Sequence, residues 1–178
     1  MKRDRDPIRR WIEQEKHGRT QRREFRNGNI GYHDDVVTSY NWWPMARIID
    51  HKKKVALYRM ERYSVSTARH QSFVGTALLT EGFKTFHVAR VTSGNSEYGG
   101  DLRISDHMAN LEDYERRIGR RLESADRSRK YKPLEMAMAQ AIITEMGDYI
   151  EYFGLDREEP DVKPLPSYHE LRRDSLMR

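Results

Sequence analysis

Cysteine is absent from this 178-residue chain. Disulfides and thiolate metal sites are thereby excluded, and the composition suits a reducing compartment such as the cytoplasm. No apolar run approaches the roughly 20 residues that span a bilayer, so no membrane partner is expected. The opening residues Met1-Lys2-Arg3-Asp4-Arg5-Asp6 lack the apolar stretch of a secretory signal. Apolar residues are outweighed overall: 34% of the chain is charged and the mean hydropathy is −0.96. There is no internal repeat and no G-x-x-x-x-G-K-[ST] pattern; the loop from Gly94 to Gly100 does not lead directly into a long helix.

Catalytic and metal-binding constellations are also missing. His33-Asp34-Asp35 has no second His/Asp cluster at a recognisable spacing, and it reads as a turn. Ser64, Thr67 and His70 supply hydroxyls and a possible base but no third group to orient them. The chain is therefore read as non-enzymatic, with no metal and no cofactor.

What is present is strand signal between Val36 and Val91. Val36-Val37-Thr38-Ser39-Tyr40-Asn41-Trp42-Trp43 is β-branched and aromatic. Pro44 cannot donate to a ladder and marks an edge or a bulge. Met45 to Ile49 resumes the apolar run, Asp50 to Lys54 reads as a hairpin turn, and Val55 to Met60 alternates as a strand. Hydroxyls over Tyr63 to Thr67 can cap a helix start. His70, Phe73, Val74, Ala77 and Leu78 then fall on one helical face, and Gly82 is placed to end the helix. Phe83 to Val91 gives a further strand, and Leu102 to Ile104 a short last one.

Ser39-Tyr40-Asn41, Pro44-Met45-Ala46-Arg47-Ile48 and Tyr63-Ser64-Val65-Ser66-Thr67 with His70-Gln71 together resemble an uncharacterised domain of phage and other viral proteins. Its strand is written S-Y-N-T followed by an I-A pair, and its helix start Y-S-x-T-T with a later H-Q; Trp42 stands at the threonine position. The resemblance implies a viral origin and a shared fold. It carries no activity and no catalytic residues.

Helices are expected on either side of this stretch. Asp6 and Pro7 start a short amphipathic one with Ile8, Trp11 and Ile12 as its apolar stripe. Ser105 or Asp106 starts another, with Met108, Leu111, Tyr114, Ile118 and Leu122 inward. Pro133 opens the longest, with Leu134, Met138, Ala141, Ile142, Tyr149, Ile150 and Phe153 inward and Gly154-Leu155 as a Schellman ending. The last two helices are expected to pair antiparallel. The fold class is α+β, a small antiparallel or mixed β-sheet of three to four strands packed against three to four helices. It fills residues 30–155 as one core domain. Residues 1–29 form a basic helix and arm, and 156–178 a tail with Pro160, Pro164 and Pro166 and a short helix behind the capping box at Ser167.

Charge supplies the functional reading. The formal net charge is +5, and residues 1–27 alone carry ten Lys/Arg against five Asp/Glu. A second basic cluster spans Arg116 to Lys132. Arg19, Arg22, Arg23 and Arg26 of the arm, with Arg120, Arg121, Arg127, Arg129, Lys130 and Lys132, are candidates to track phosphates on DNA or RNA. Phe25 and Tyr131 are candidates to stack on bases. Trp42 and Trp43 point to opposite faces if both lie in a strand, which leaves one free for interaction. An alternative is a viral protein-interaction module that binds a host factor or virion component through an edge strand at 36–43, the Trp pair and the tail, with self-association as a further possibility.

Overall fold

The computed structural model describes residues 7–13, 30–94 and 100–155. Its elements are α1 (Pro7–Glu13), β1 (Ile30–His33), β2 (Val36–Ser39), β3 (Trp43–Asp50), β4 (Val55–Arg59), α2 (Val65–Thr80), β5 (Lys84–Val88), α3 (Ile104–Arg127) and α4 (Lys132–Phe153). The class is α+β, with one mixed sheet of five strands in the order β1-β2-β3-β4-β5. The first four strands are antiparallel neighbours. β5 runs parallel to β4, and a parallel neighbour needs a crossover, which α2 supplies. The chain divides into two compact units, Met1–Asn110 and Leu111–Arg178.

In the first unit, α1 lies against β1 and α2. Ile8, Trp11 and Ile12 of α1 and Val74 and Leu78 of α2 cluster with Tyr32, Val37, Met45, Ile48 and Ala56 on one face of the sheet. The other face carries a row of residues that lie opposite one another, Val36, Arg47, Leu57 and Phe86, all buried. Arg47 survives burial through its partners: it donates to Asp35 at 2.6 Å, to the carbonyl oxygen of Gly100 at 3.0 Å and to Asp101 at 2.7 Å. Burial opposes its charge, but the two carboxylates outweigh that and raise its pKa.

Several boundaries differ from the sequence reading. The sheet has five strands rather than three or four, because Ile30–His33 pairs with β2 through the two-residue turn at Asp34-Asp35. The stretch 36–43 is not one strand. It breaks at Tyr40 and Asn41, both at positive φ (55° and 60°), into β2 and β3. Both of those strands are paired on two sides, so neither offers an edge; the edges are β1 and β5. Pro44 sits at a bulge, where the register steps from Val37↔Ala46 to Thr38↔Pro44. Leu102 and Arg103 are not a strand, and Ile104 already belongs to α3. Asp106 reaches back to accept from the Arg103 N–H at 3.0 Å, half of a capping box.

Helix phases shifted as well. α2 buries Thr67, Gln71, Val74 and Leu78, and leaves Phe73 outside. α4 buries Ala139, Ile143, Met146 and Tyr149 rather than Leu134, Met138 and Ala141. Both helices carry apolar residues around most of their circumference, so periodicity alone does not fix their rotation. The ends stand as expected. Ser64 accepts from the Thr67 N–H at 3.2 Å, Gly82 follows α2 at φ 74°, and Leu155 N–H reaches the Ile150 carbonyl at 3.0 Å past Gly154.

The second unit contains the remainder of α3 and α4, paired antiparallel. Tyr114 donates to Glu145 at 2.7 Å near one end, and Arg121 pairs with Glu135 at 3.1 Å near the other. Leu111, Tyr114, Ile118, Ile143 and Tyr149 are buried. Among the described residues no helix is long and apolar enough to cross a membrane.

Trp11 is fully buried, which makes α1 part of the core rather than an appendage. Trp11→Ala is expected to lower unfolding free energy by about 3–5 kcal/mol in a denaturant titration. Arg9→Ala, which removes an exposed i,i+4 pair to Glu13, is expected to change it by about 0.5 kcal/mol or less.

Candidate functional site

Two surfaces stand out, one on each unit. The first is the tip of the α3–α4 hairpin. Residues 116–132 carry eight Lys/Arg and two Asp/Glu, while 112–115 and 145–151 at the other end carry six carboxylates and no Lys/Arg. The hairpin is thus positive at its turn and negative at its far end. Pairing decides which cations remain available. Arg116 and Arg117 both bind Asp113, and Arg117 also lies over the Tyr114 ring at 4.4 Å. Arg121 is held by Glu135, and Arg127 pairs with Glu123 at 3.4 Å. Carboxylates therefore meet Arg121 from across the hairpin and Arg127 from one turn earlier in α3.

Arg120, Arg129, Lys130 and Lys132 are exposed and form no ion pair with any described residue. Tyr131, 52% exposed, stands between Lys130 and Lys132 in the chain, with the Lys130 Nζ 5.3 Å from its ring centre. Tyr114, by contrast, is core: burial and the adjacent Glu145 push its phenol well above the usual range. At the acidic end burial, with Glu112 beside it, raises the Glu115 carboxyl. The arm residues Arg19, Arg22, Arg23, Phe25 and Arg26, the loop residues 95–99 and the tail lie outside the described residues.

The second surface is an aromatic corner on the first unit, built by the β2–β3 turn and the passage from β4 to α2. Ser39 pairs with Trp43 across the turn, and the left-handed residues Tyr40 and Asn41 turn the chain so tightly that Trp42 projects at 45% exposure. Asn41 is set over Gly31, where any Cβ would collide with its side chain. Trp43 turns inward and is capped by the Arg59 guanidinium, 3.8 Å from its ring centre. Tyr63, 62% exposed, meets Trp42 edge to face at 5.0 Å and 89°, and Trp43 at 5.2 Å. One tryptophan is covered and one open, but the turn makes the division rather than strand alternation, since only Trp43 lies in a strand. Sequence reasoning missed Tyr63 as their partner, because no local pattern joins positions 20 residues apart.

Ser39 also joins the α2 side. Its hydroxyl and His70 Nδ1 lie 2.7 Å apart, beneath the Tyr40 ring. This is a serine–histidine contact, but Ser39 is fully buried. No acyl carbonyl can reach its oxygen, so the bond fastens β2 to α2 rather than preparing a nucleophile. Ser64 and Thr67 are engaged in the helix cap and do not converge on His70. Among the described residues no three His, Asp or Glu side chains gather as metal ligands.

The fold is α+β, with a basic hairpin tip on one unit and an aromatic corner on the other. Comparison with family models, curated proteins and solved structures returns no match.

Histidine protonation gives a pH test of this packing. Burial holds His70 below the ordinary imidazole range, and Arg69 adds to the effect. Burial does the same to His51, and to His107 against the opposing pull of Asp106. Below about pH 6.5 the unfolded chain protonates these rings before the folded chain does. Stability is therefore complete above that pH and is lost as pH falls toward and through the folded values. The melting temperature is expected to fall between about pH 7.5 and 5.5, and the His70 ring protons to titrate below the ordinary imidazole range in an NMR series. A flat melting profile would contradict the packing described.

Proposed function

We propose that this chain is a non-enzymatic nucleic-acid-binding protein of phage type, which holds phosphates at the tip of the α3–α4 hairpin. The single observation that carries the reading is the separation of charge along that hairpin. Three exposed cations, Arg129, Lys130 and Lys132, are neighbours in sequence of an exposed tyrosine, a fourth, Arg120, is exposed on α3, and this segment holds two carboxylates against six at the other end. Lysines and arginines that are already paired release few counterions on binding DNA or RNA; unpaired ones release more. Arg120, Arg129, Lys130 and Lys132 are therefore the principal phosphate ligands, and Arg121 and Arg127 contribute less. The arm arginines Arg19, Arg22, Arg23 and Arg26 join the proposal on charge alone.

The test is salt dependence. Arg129→Ala with Lys130→Ala is expected to weaken binding to every sequence alike. It should also flatten the plot of log affinity against log salt by about 1.4 to 1.8, from roughly 0.7 per single-strand phosphate contact to 0.9 per duplex contact. Arg117→Ala, which removes a cation committed to Asp113 and Tyr114, is expected to lower stability with little change in that slope. A salt-insensitive interaction, or none with DNA or RNA, removes the reading.

One observation favours a second reading, a protein-interaction module. The outward face of α2 carries Val65, Phe73 and Leu79, all exposed, and exposed apolar faces of this kind mark protein contacts. Phe73→Ser with Leu79→Ser would then abolish a protein complex and leave nucleic-acid affinity intact.

A further inference from the structure

We propose that the Trp42–Tyr63 corner of the first unit is a second site, one that takes an unpaired nucleobase, so that the chain's nucleic-acid ligand is single-stranded. The inference goes beyond the hairpin reading, since it places base contacts on a different unit and can fail or stand separately.

The rings carry the argument. Trp42 and Tyr63 are perpendicular at 5.0 Å, so a planar group can lie flat on one and present its edge to the face of the other. Both geometries are favourable for aromatic pairs. The corner is rigid behind its open side. Trp43 backs both rings and is itself covered by Arg59, which Glu61 holds at 2.7 Å. Gln71 fixes the strand leaving β4 by donating to the carbonyl oxygens of Arg59 and Glu61 at 3.0 and 2.8 Å.

Charge selects the occupant. Arg62, next to Tyr63, is exposed and has no ion pair to a described residue. Arg69 stands one turn into α2, near the Phe73 ring. Glu61, the one carboxylate between Arg59 and Arg69, is already engaged by Arg59. An aromatic corner with an unpaired arginine next to Tyr63 in the chain suits a base with its phosphate; a proline-rich or acidic-poor peptide would gain nothing from that cation. A duplex has no unstacked base to offer.

The experiment reads intrinsic fluorescence while short oligo-dT is added to the full chain. Trp11 and Trp43 are buried, so quenching reports Trp42. Oligo-dT is expected to quench, and a duplex of the same length not to. Trp42→Ala and Tyr63→Ala are each expected to weaken oligo-dT binding, followed by anisotropy, between about fivefold and a hundredfold. Tyr63→Phe should restore it, since stacking does not need the hydroxyl. Equal quenching by duplex overturns the proposal. So does quenching by a proline-rich peptide with none by oligo-dT, which would make the corner a protein-binding face. Oligo-dT binding that ignores both alanine variants but disappears with Arg129→Ala and Lys130→Ala refutes the corner and leaves the hairpin. The reverse pattern refutes the hairpin and leaves the corner.

Discussion

Gln71 sets the geometry on which the first unit depends. A parallel β4–β5 pair forces the chain to leave the sheet, form α2 and return. At the point of departure the carbonyls of Arg59 and Glu61 have no strand to bond, and both accept from Gln71 Nε2. A buried amide that satisfies two carbonyls on the departing strand fixes both the exit path and the rotation of α2. That rotation turns Val74 and Leu78 to the core and puts His70 beside Ser39. The same departing segment brings Tyr63 against Trp42 and Trp43. The aromatic corner is thus a consequence of how a parallel strand was added to an antiparallel meander.

The second unit obeys a different constraint. Tyr114–Glu145 and Arg121–Glu135 bridge its two helices at different heights, so Glu135, the carboxylate of α4 closest to the basic segment, is spent in holding the hairpin together. Arg117 belongs to the same structural set through Asp113 and Tyr114. Removing these cations from the count reduces eight charges to a smaller group at the turn, where Arg129, Lys130 and Lys132 are neighbours in sequence and Arg120 lies on the exposed side of α3. The field there is local, because pairs within a few ångströms are not screened as distant charges are.

Much of the fold was legible in the sequence wherever one residue decides the local backbone. Ser64, Gly82 and Gly154 each mark a helix end because a cap needs either a side-chain acceptor or a left-handed residue. The Asp50–Lys54 turn and the buried stripe of α1 follow from equally local rules. What was not legible depends on partners far along the chain. β1 is too short to declare itself and exists because β2 offers it a ladder. The break at Tyr40-Asn41 was hidden because Tyr is a poor candidate for positive φ, and strand propensity ran straight through it. Phe73 read as core because it is large and apolar, yet α2 is rotated by Gln71, a polar residue that periodicity discards. The corner was half visible: the tryptophans announced themselves, and Tyr63 did not.

That hidden break also bears on the ligand site proposed at the corner. Asn41 tolerates the left-handed region, but Tyr40 is bulky as well as left-handed, which costs on the order of 1–3 kcal/mol. A glycine in the turn would relieve most of that strain. What the strained turn achieves is to point Trp42 away from the core that Trp43 enters, at the one place where Tyr63 can meet it at a right angle. Folding alone gains little from an indole left nearly half in water, since burial is where its large apolar surface stabilises. A strained backbone that exposes an aromatic ring against a rigid backing is the arrangement expected when the missing contact is supplied by a ligand.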